Sequence, residues 1–144
     1  MTHVRRFEEY IQQGTIRKRF PDPIRAKSFI EESSEDYSIL KSHIKSMGVS
    51  DKSANYIIKN AYDIIMSLIR ARMLSQGFSS SGEGSHEAEV SFLRIIGCNE
   101  LDVEFADKLR YFRNSILYYG KRLDKEYAEK VLIFLEKMII QLKK

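Results

Sequence analysis

The 144-residue sequence has no tryptophan, one cysteine, two prolines and three histidines, and each scarcity removes a class of explanation. Cys98 has no partner for an internal disulfide, which points to a reducing compartment, the cytoplasm. Its ordinary role is that of a small buried hydrophobe, the alternative that of a nucleophile. His3, His43 and His86 are too scattered to form a metal-ligand pair at helical spacing. There is no HExxH and no pair of Glu-x-x-His motifs on two helices, so neither a zinc protease nor a di-iron carboxylate bundle is expected, and no metal or cofactor is assigned. No apolar run approaches the roughly 18–20 residues that span a bilayer, so no membrane association is expected. The first residues, MTHVRRFEEYIQQ, carry acids and lack an apolar segment, unlike a signal peptide.

Strand signals are equally sparse. No segment sustains two-residue alternation, and the hairpin dipeptides Asn-Gly and Asp-Gly are missing. The only low-complexity stretch, FSSSGEG at 78–84, reads as a flexible loop. It contains neither GxGxxG nor GxxxxGK[ST], which excludes a nucleotide-triphosphate phosphate loop.

What remains is helix. Apolar residues make up 43% and charged residues 31%, the balance of one ordinary globular domain. Residues 4–13 space Val4, Phe7, Tyr10 and Ile11 as a short amphipathic helix ended by Gly14, and 15–21 follow as a basic connector. Asp22-Pro23 opens a long helix with a cap acceptor and a first-turn proline, and Gly48 closes it. Its seam is Ala26, Ile30, Ser33, Tyr37, Leu40, Ile44 and Met47. After a cap at Ser50 or Asp51 comes a helix apolar over a wide arc. It carries Ala54, Ile57, Ile58, Ala61, Ile64, Ile65 and Leu68 on one line, with Tyr62, Met66, Ile69 and Met73 beside it. Such a helix is central in its bundle or shared with a second subunit. A short helix from Ser85 turns Val90, Phe92, Leu93 and Ile96 inward. The last, capped by Asp124, carries Tyr127, Val131, Phe134, Leu135, Met138 and Leu142. The fold class is therefore all-α: an antiparallel up-and-down bundle of four to five main helices over 22–144, preceded by a basic N-terminal helix and connector over 1–21.

Charge is uneven. Residues 1–27 hold seven basic groups against three acids, while 28–144 hold 17 of each. Arg17, Lys18 and Arg19, interleaved with Phe7, Tyr10 and Phe20, form a candidate nucleic-acid contact. A solvated surface or an acidic partner face is the alternative. His86, beside the glycine-containing loop, is placed to titrate near neutral pH, whereas His43 lies off its helix's apolar seam.

The remaining helix, ending at Gly120, holds Phe105, Leu109, Phe112, Ile116 and Tyr119 on one face. Arg110, Arg113, Asn114 and Tyr118 flank that stripe. At about 100° per residue, Asn114 and Tyr118 share a face while Arg113 diverges from Tyr118 by roughly 140°. An ion pair of Arg113 with Asp107, Glu104 or an acid of the 22–47 helix is its ordinary structural role.

The stretch RNSILY at 113–118 resembles the signature of the HEPN (higher eukaryotes and prokaryotes nucleotide-binding) domain, an arginine, commonly followed by a polar residue, with a histidine five positions on. NAYDIIMSLIRARMLSQG, SHEAEVSFL and RYFRNSILYYGKRLDKEYAEKVL extend the similarity over about residues 24–142. The resemblance implies Arg113 as the motif arginine, Asn114 as its polar neighbour and Tyr118 in the histidine position. It implies a toxin–antitoxin or defence setting, an RNA or nucleotide ligand and a homodimer that joins two motifs at its interface. The activity implied is metal-independent endoribonuclease chemistry, in which arginine stabilises the scissile phosphate and histidine moves a proton. Tyrosine, with an ordinary pKa of about 10, is a poor base at neutral pH, so the site reads as degenerate, with Arg110 joining Arg113 in ligand binding. The alternative is a non-catalytic dimerisation module whose partner is a nucleotidyltransferase.

Overall fold

The computed structural model describes residues 4–144, so His3 lies outside the described residues. In chain order the elements are α1 (Phe7–Gln12), β1 (Ile16–Lys18), α2 (Pro23–Met47), α3 (Ala54–Gln76), β2 (Phe78–Ser80), α4 (Ser85–Ile95), α5 (Glu100–Tyr119) and α6 (Lys125–Leu142). The four long helices α2, α3, α5 and α6 run up and down in turn around one core, with α4 inserted between α3 and α5. The architecture is all-α apart from one small ribbon.

Local chemistry sets most helix ends. Asp22 accepts a hydrogen bond from the Arg25 backbone N–H, and Pro23 occupies the first turn, where its missing N–H costs nothing. Asn99 and Asp124 cap α5 and α6 in the same way, bonding the N–H groups of Asp102 and Tyr127. The start of α3 departs from expectation. The chain makes another turn after Ser50, and the helix begins at Ala54 behind Ser53, whose hydroxyl donates to the Gly48 carbonyl. Asp51 instead accepts from the Lys125 backbone N–H, tying the entry of α3 to the entry of α6.

α3 is the centre of the bundle. Both of its apolar lines are buried, from Ala54 and Ile57 through Tyr62 and Met66 to Met73, against α2, α4, α5 and α6. Coverage within one chain accounts for its wide apolar arc. At its far end Arg72 donates to the carbonyls of Gln141 and Leu142, neutralising the carbonyl-rich end of α6. α5 and α6 meet through aromatic contacts of Phe105 with Phe134 and of Phe112 with Tyr127. Along α2 the seam thins at both ends: Ala26, Ser33 and Leu40 are buried, but Ile30 and Met47 are exposed, and Phe29 packs in place of Ile30.

Two further expectations fail. Residues 16–18 are no mere connector, and 78–80 are no flexible loop. They pair as an antiparallel two-stranded ribbon, with Ile16 opposite Ser80 and Lys18 opposite Phe78. Three-residue strands are too short to display a period, and neither is joined to the other by a hairpin turn. Gly77 makes the ribbon possible. It takes the left-handed conformation after α3 (φ +88°), and a Cβ there would lie 2.6 Å from the Arg19 carbonyl oxygen, which any side chain would have to displace. Val4, Phe7, Tyr10 and Ile16 all join the main core, with the Phe7 ring edge-on to Phe78 and Phe92.

Candidate functional site

α5 emerges from the core between Leu109 and Ile116, both buried. Its polar flank faces the start of α4 across a cleft of about 250 Å³, lined by Gly84, Ser85, His86, Glu87, Arg110, Arg113, Asn114 and Tyr118. Five residues singled out from the sequence thus line one cleft, His86 from α4 and four from α5, including Arg113, for which the helical-wheel angle had implied a separate direction. Arg113 lines the cleft while its guanidinium is directed to α3. The terminal stripe residue Tyr119 is a correction: it is 85% exposed rather than buried, because α5 outruns its packing partners after Ile116.

The ion pair made by Arg113 is with α3. Its Nη2 lies 3.3 Å from Asp63 Oδ1, and the guanidinium sits 5.4 Å from the centre of the Tyr62 ring, a cation–π arrangement. None of Asp107, Glu104 or the acids of α2 is its partner; Asp107 holds Arg110 at 2.8 Å. Arg113 Nε is buried with no hydrogen-bond partner among the described residues. A buried donor left unpaired is unfavourable, and here it belongs to a cation beside a solvent-open cleft.

Opposite these arginines, α4 starts without a side-chain cap. Its N-cap residue is Gly84 in the left-handed conformation, so the first-turn N–H groups and the positive end of the helix dipole border the cleft. His86 is held from two sides. Nε2 lies 3.2 Å from Arg70 Nη2 and Nδ1 lies 3.0 Å from the Tyr62 hydroxyl. Arginine only donates, so Nε2 accepts and the proton of the neutral ring sits on Nδ1, donating to Tyr62. Burial lowers the His86 pKa from its ordinary value; Glu89 opposes this, and Arg70, Arg113 and Arg110 add to it. His86 is therefore neutral at pH 7 and titrates below the range expected from its sequence position. Tyr62 is pushed up by its own burial, with Arg110 and Arg113 pulling the other way.

Arg70 is itself locked. Its Nε donates to Glu89 Oε2 at 2.8 Å and its Nη2 to Oε1 at 3.1 Å, and Glu89 is only 3% exposed. Sequence reasoning missed Tyr62, Asp63, Arg70 and Glu89. The available signal was an acid inside the apolar run AEVSFL, three residues beyond His86 on the same helix face.

Other candidates lie elsewhere. Arg17 and Lys18 on β1 and Arg19 directly after it are exposed, and none lines the cleft. The N-terminal helix reaches the cleft by another route: the Tyr10 hydroxyl donates to Glu87 at 2.6 Å, and burial together with that bond pushes the Tyr10 pKa up to about 12. Exposed His43 bonds Tyr56 at the α2–α3 end of the bundle. Cys98 is half-buried, and burial followed by the charge of Asp102 raises its thiol pKa, the opposite of what an activated nucleophile requires.

Two guanidiniums, each paired with an aspartate, surround one cleft together with an amide side chain, the Glu87 carboxylate and an uncapped helix start; guanidiniums and free helix N–H groups are the kind of donor that tetrahedral anions accept from. Among the described residues no three His, Cys, Asp or Glu side chains are grouped to hold a metal ion, and no helix is long and apolar enough to cross a membrane. Comparison with protein-family models, curated proteins and solved structures finds no significant match to the chain.

Proposed function

We propose that the cleft binds RNA or a nucleotide through its phosphate, and that the protein is a cytoplasmic, HEPN-like member of a toxin–antitoxin or defence system. Arg113 is the principal phosphate ligand, Arg110 its neighbour and Asn114 a hydrogen-bond donor. The convergence of Arg110, Arg113 and Asn114 on the uncapped start of α4 carries this reading. Tyr118, 73% exposed at the rim, replaces the proton-transfer histidine. The site is a degenerate one that binds better than it cuts.

A homodimer fits the same end of α5. Tyr111, Leu117, Tyr118 and Tyr119 are all exposed there, and a two-fold axis would place two copies of the cleft around one strand. That apolar end also supports the second reading, a non-catalytic module that docks a nucleotidyltransferase.

The test incubates purified protein with labelled RNA in EDTA. Binding that disappears in Arg113→Ala is expected, with Tyr118→His gaining cleavage that leaves cyclic-phosphate ends. Restoring a proton-transfer group of suitable pKa is worth about 10²–10⁴ in rate. Absence of RNA and nucleotide binding at high protein concentration, with dimerisation intact in sedimentation, overturns the ligand reading and leaves the docking module.

A further inference from the structure

A second cavity abuts the arginine cleft. It encloses about 180 Å³ between the start of α2, the end of α3, β2 and the start of α4. Ser85 lines both spaces. The partition between them is the contact of Arg70, which lines the inner cavity, with His86, which lines the cleft.

The walls of the cavity divide by chemistry. Phe29, Met73, Leu74 and Phe78 form an apolar side, suited to the faces of a flat ring. The polar side is rich in donors that the protein leaves unused. Among the described residues, Arg70 Nη1, the Arg25 guanidinium and the hydroxyls of Ser79 and Ser85 have no hydrogen-bond partner. Glu89 is the exception, an acceptor whose Oε2 already takes Arg70 and Ser80 and whose Oε1 takes Arg70 alone. A ring that fits has adjacent acceptors on one edge and a donor on the next. Guanine has O6 and N7 side by side, followed by N1–H. Adenine puts an amino donor where O6 stands, opposite the arginines.

We infer that this cavity is a purine-base subsite that prefers guanine, and that one nucleotide spans both spaces with its phosphate at Arg110 and Arg113. The inference rests on the phosphate reading of the cleft and gives it a base specificity. The Arg70–His86 contact lies at the junction, so the neutral ring of His86 borders the ribose.

Isothermal titration of the full chain with guanosine 5′-monophosphate, adenosine 5′-monophosphate and ribose 5-phosphate tests the subsite. The guanine nucleotide is expected to bind about tenfold tighter than either other ligand, the discrimination one well-paired base edge supplies. Ser79→Phe, which keeps a strand-compatible residue on β2 while filling the cavity, should reduce guanosine monophosphate to the affinity of ribose 5-phosphate and leave ribose 5-phosphate unchanged. Arg25→Ala, on the exposed first turn of α2, provides a variant that does not disturb the core; it should weaken the guanine nucleotide alone. Equal affinities for all three ligands, each lost in Arg113→Ala, would overturn the subsite and spare the phosphate cleft. No binding of any of them, or of RNA, overturns both.

Discussion

α3 and α5 are both long amphipathic helices of one bundle, yet they serve opposite ends. α3 is apolar around most of its circumference and buries residues from Ala54 to Leu74. α5 buries a narrower face ending at Ile116, and beyond it Leu117, Tyr118 and Tyr119 are 45%, 73% and 85% exposed. Side chains that fill the core cannot change without loss of packing. Side chains that project from a supported helix into an open cleft carry no such duty. α3 specifies the bundle, and the flank of α5 lines the open cleft.

The sharpest way to break this contrast is to truncate one large side chain on each helix. Leu68→Ala on α3 removes a side chain that is 1% exposed and should destabilise the protein by about 3 kcal/mol, through lost transfer energy and a residual cavity. Tyr119→Ala on α5 should stay within about 0.5 kcal/mol. Urea unfolding followed by circular dichroism measures both. Comparable losses would show that the end of α5 is packed against something, a second copy being the first candidate.

A smaller effect probes the seam between α5 and α6. Tyr127 stacks against Phe105 and meets Phe112 edge-on, but its hydroxyl is buried without a hydrogen-bond partner among the described residues, and burial pushes its pKa up to about 12. Tyr127→Phe keeps the ring and removes the unpaired group, so stability should rise by about 1 kcal/mol. A loss on the same urea scale would mean that the hydroxyl has a partner, and that this end of α5 is less idle than its exposure suggests.

The legibility of the sequence follows the same division. α3 was readable because two apolar lines over 23 residues leave no other geometry, and the caps at Asp22 and Asp124 were readable because the acceptor stands beside the N–H it serves. The ribbon was not, since its pairing of Ile16 with Ser80 joins segments 64 positions apart with no local period. The cleft was half readable. Arg110, Arg113, Asn114 and Tyr118 come from one helix and show themselves by spacing; Tyr62, Asp63, Arg70, His86 and Glu89 come from two others, and only tertiary packing brings them to the arginines. A polar network of this kind leaves in each segment no more than a misplaced charge, as Glu89 does within AEVSFL.

The smallest effect tests that network where α3 and α5 meet. His86 is faced by Tyr62 and Arg70 from α3, by Glu89 from its own helix and by Arg110 and Arg113 from α5. Its pKa is lowered in the folded protein, so at mildly acidic pH the unfolded chain binds a proton that the folded ring does not. Stability should therefore decrease as pH falls through the ordinary histidine value of about 6.5, and the decrease should level off below the depressed folded value. His86→Gln keeps a neutral polar group facing Tyr62 and Arg70 and removes the titration. The variant should lose less stability than wild type between pH 7 and pH 5, with groups remote from His86 common to both and cancelling in the difference. Identical slopes would mean that burial, aided by Arg70, Arg113 and Arg110, does not hold the imidazole neutral in the folded protein.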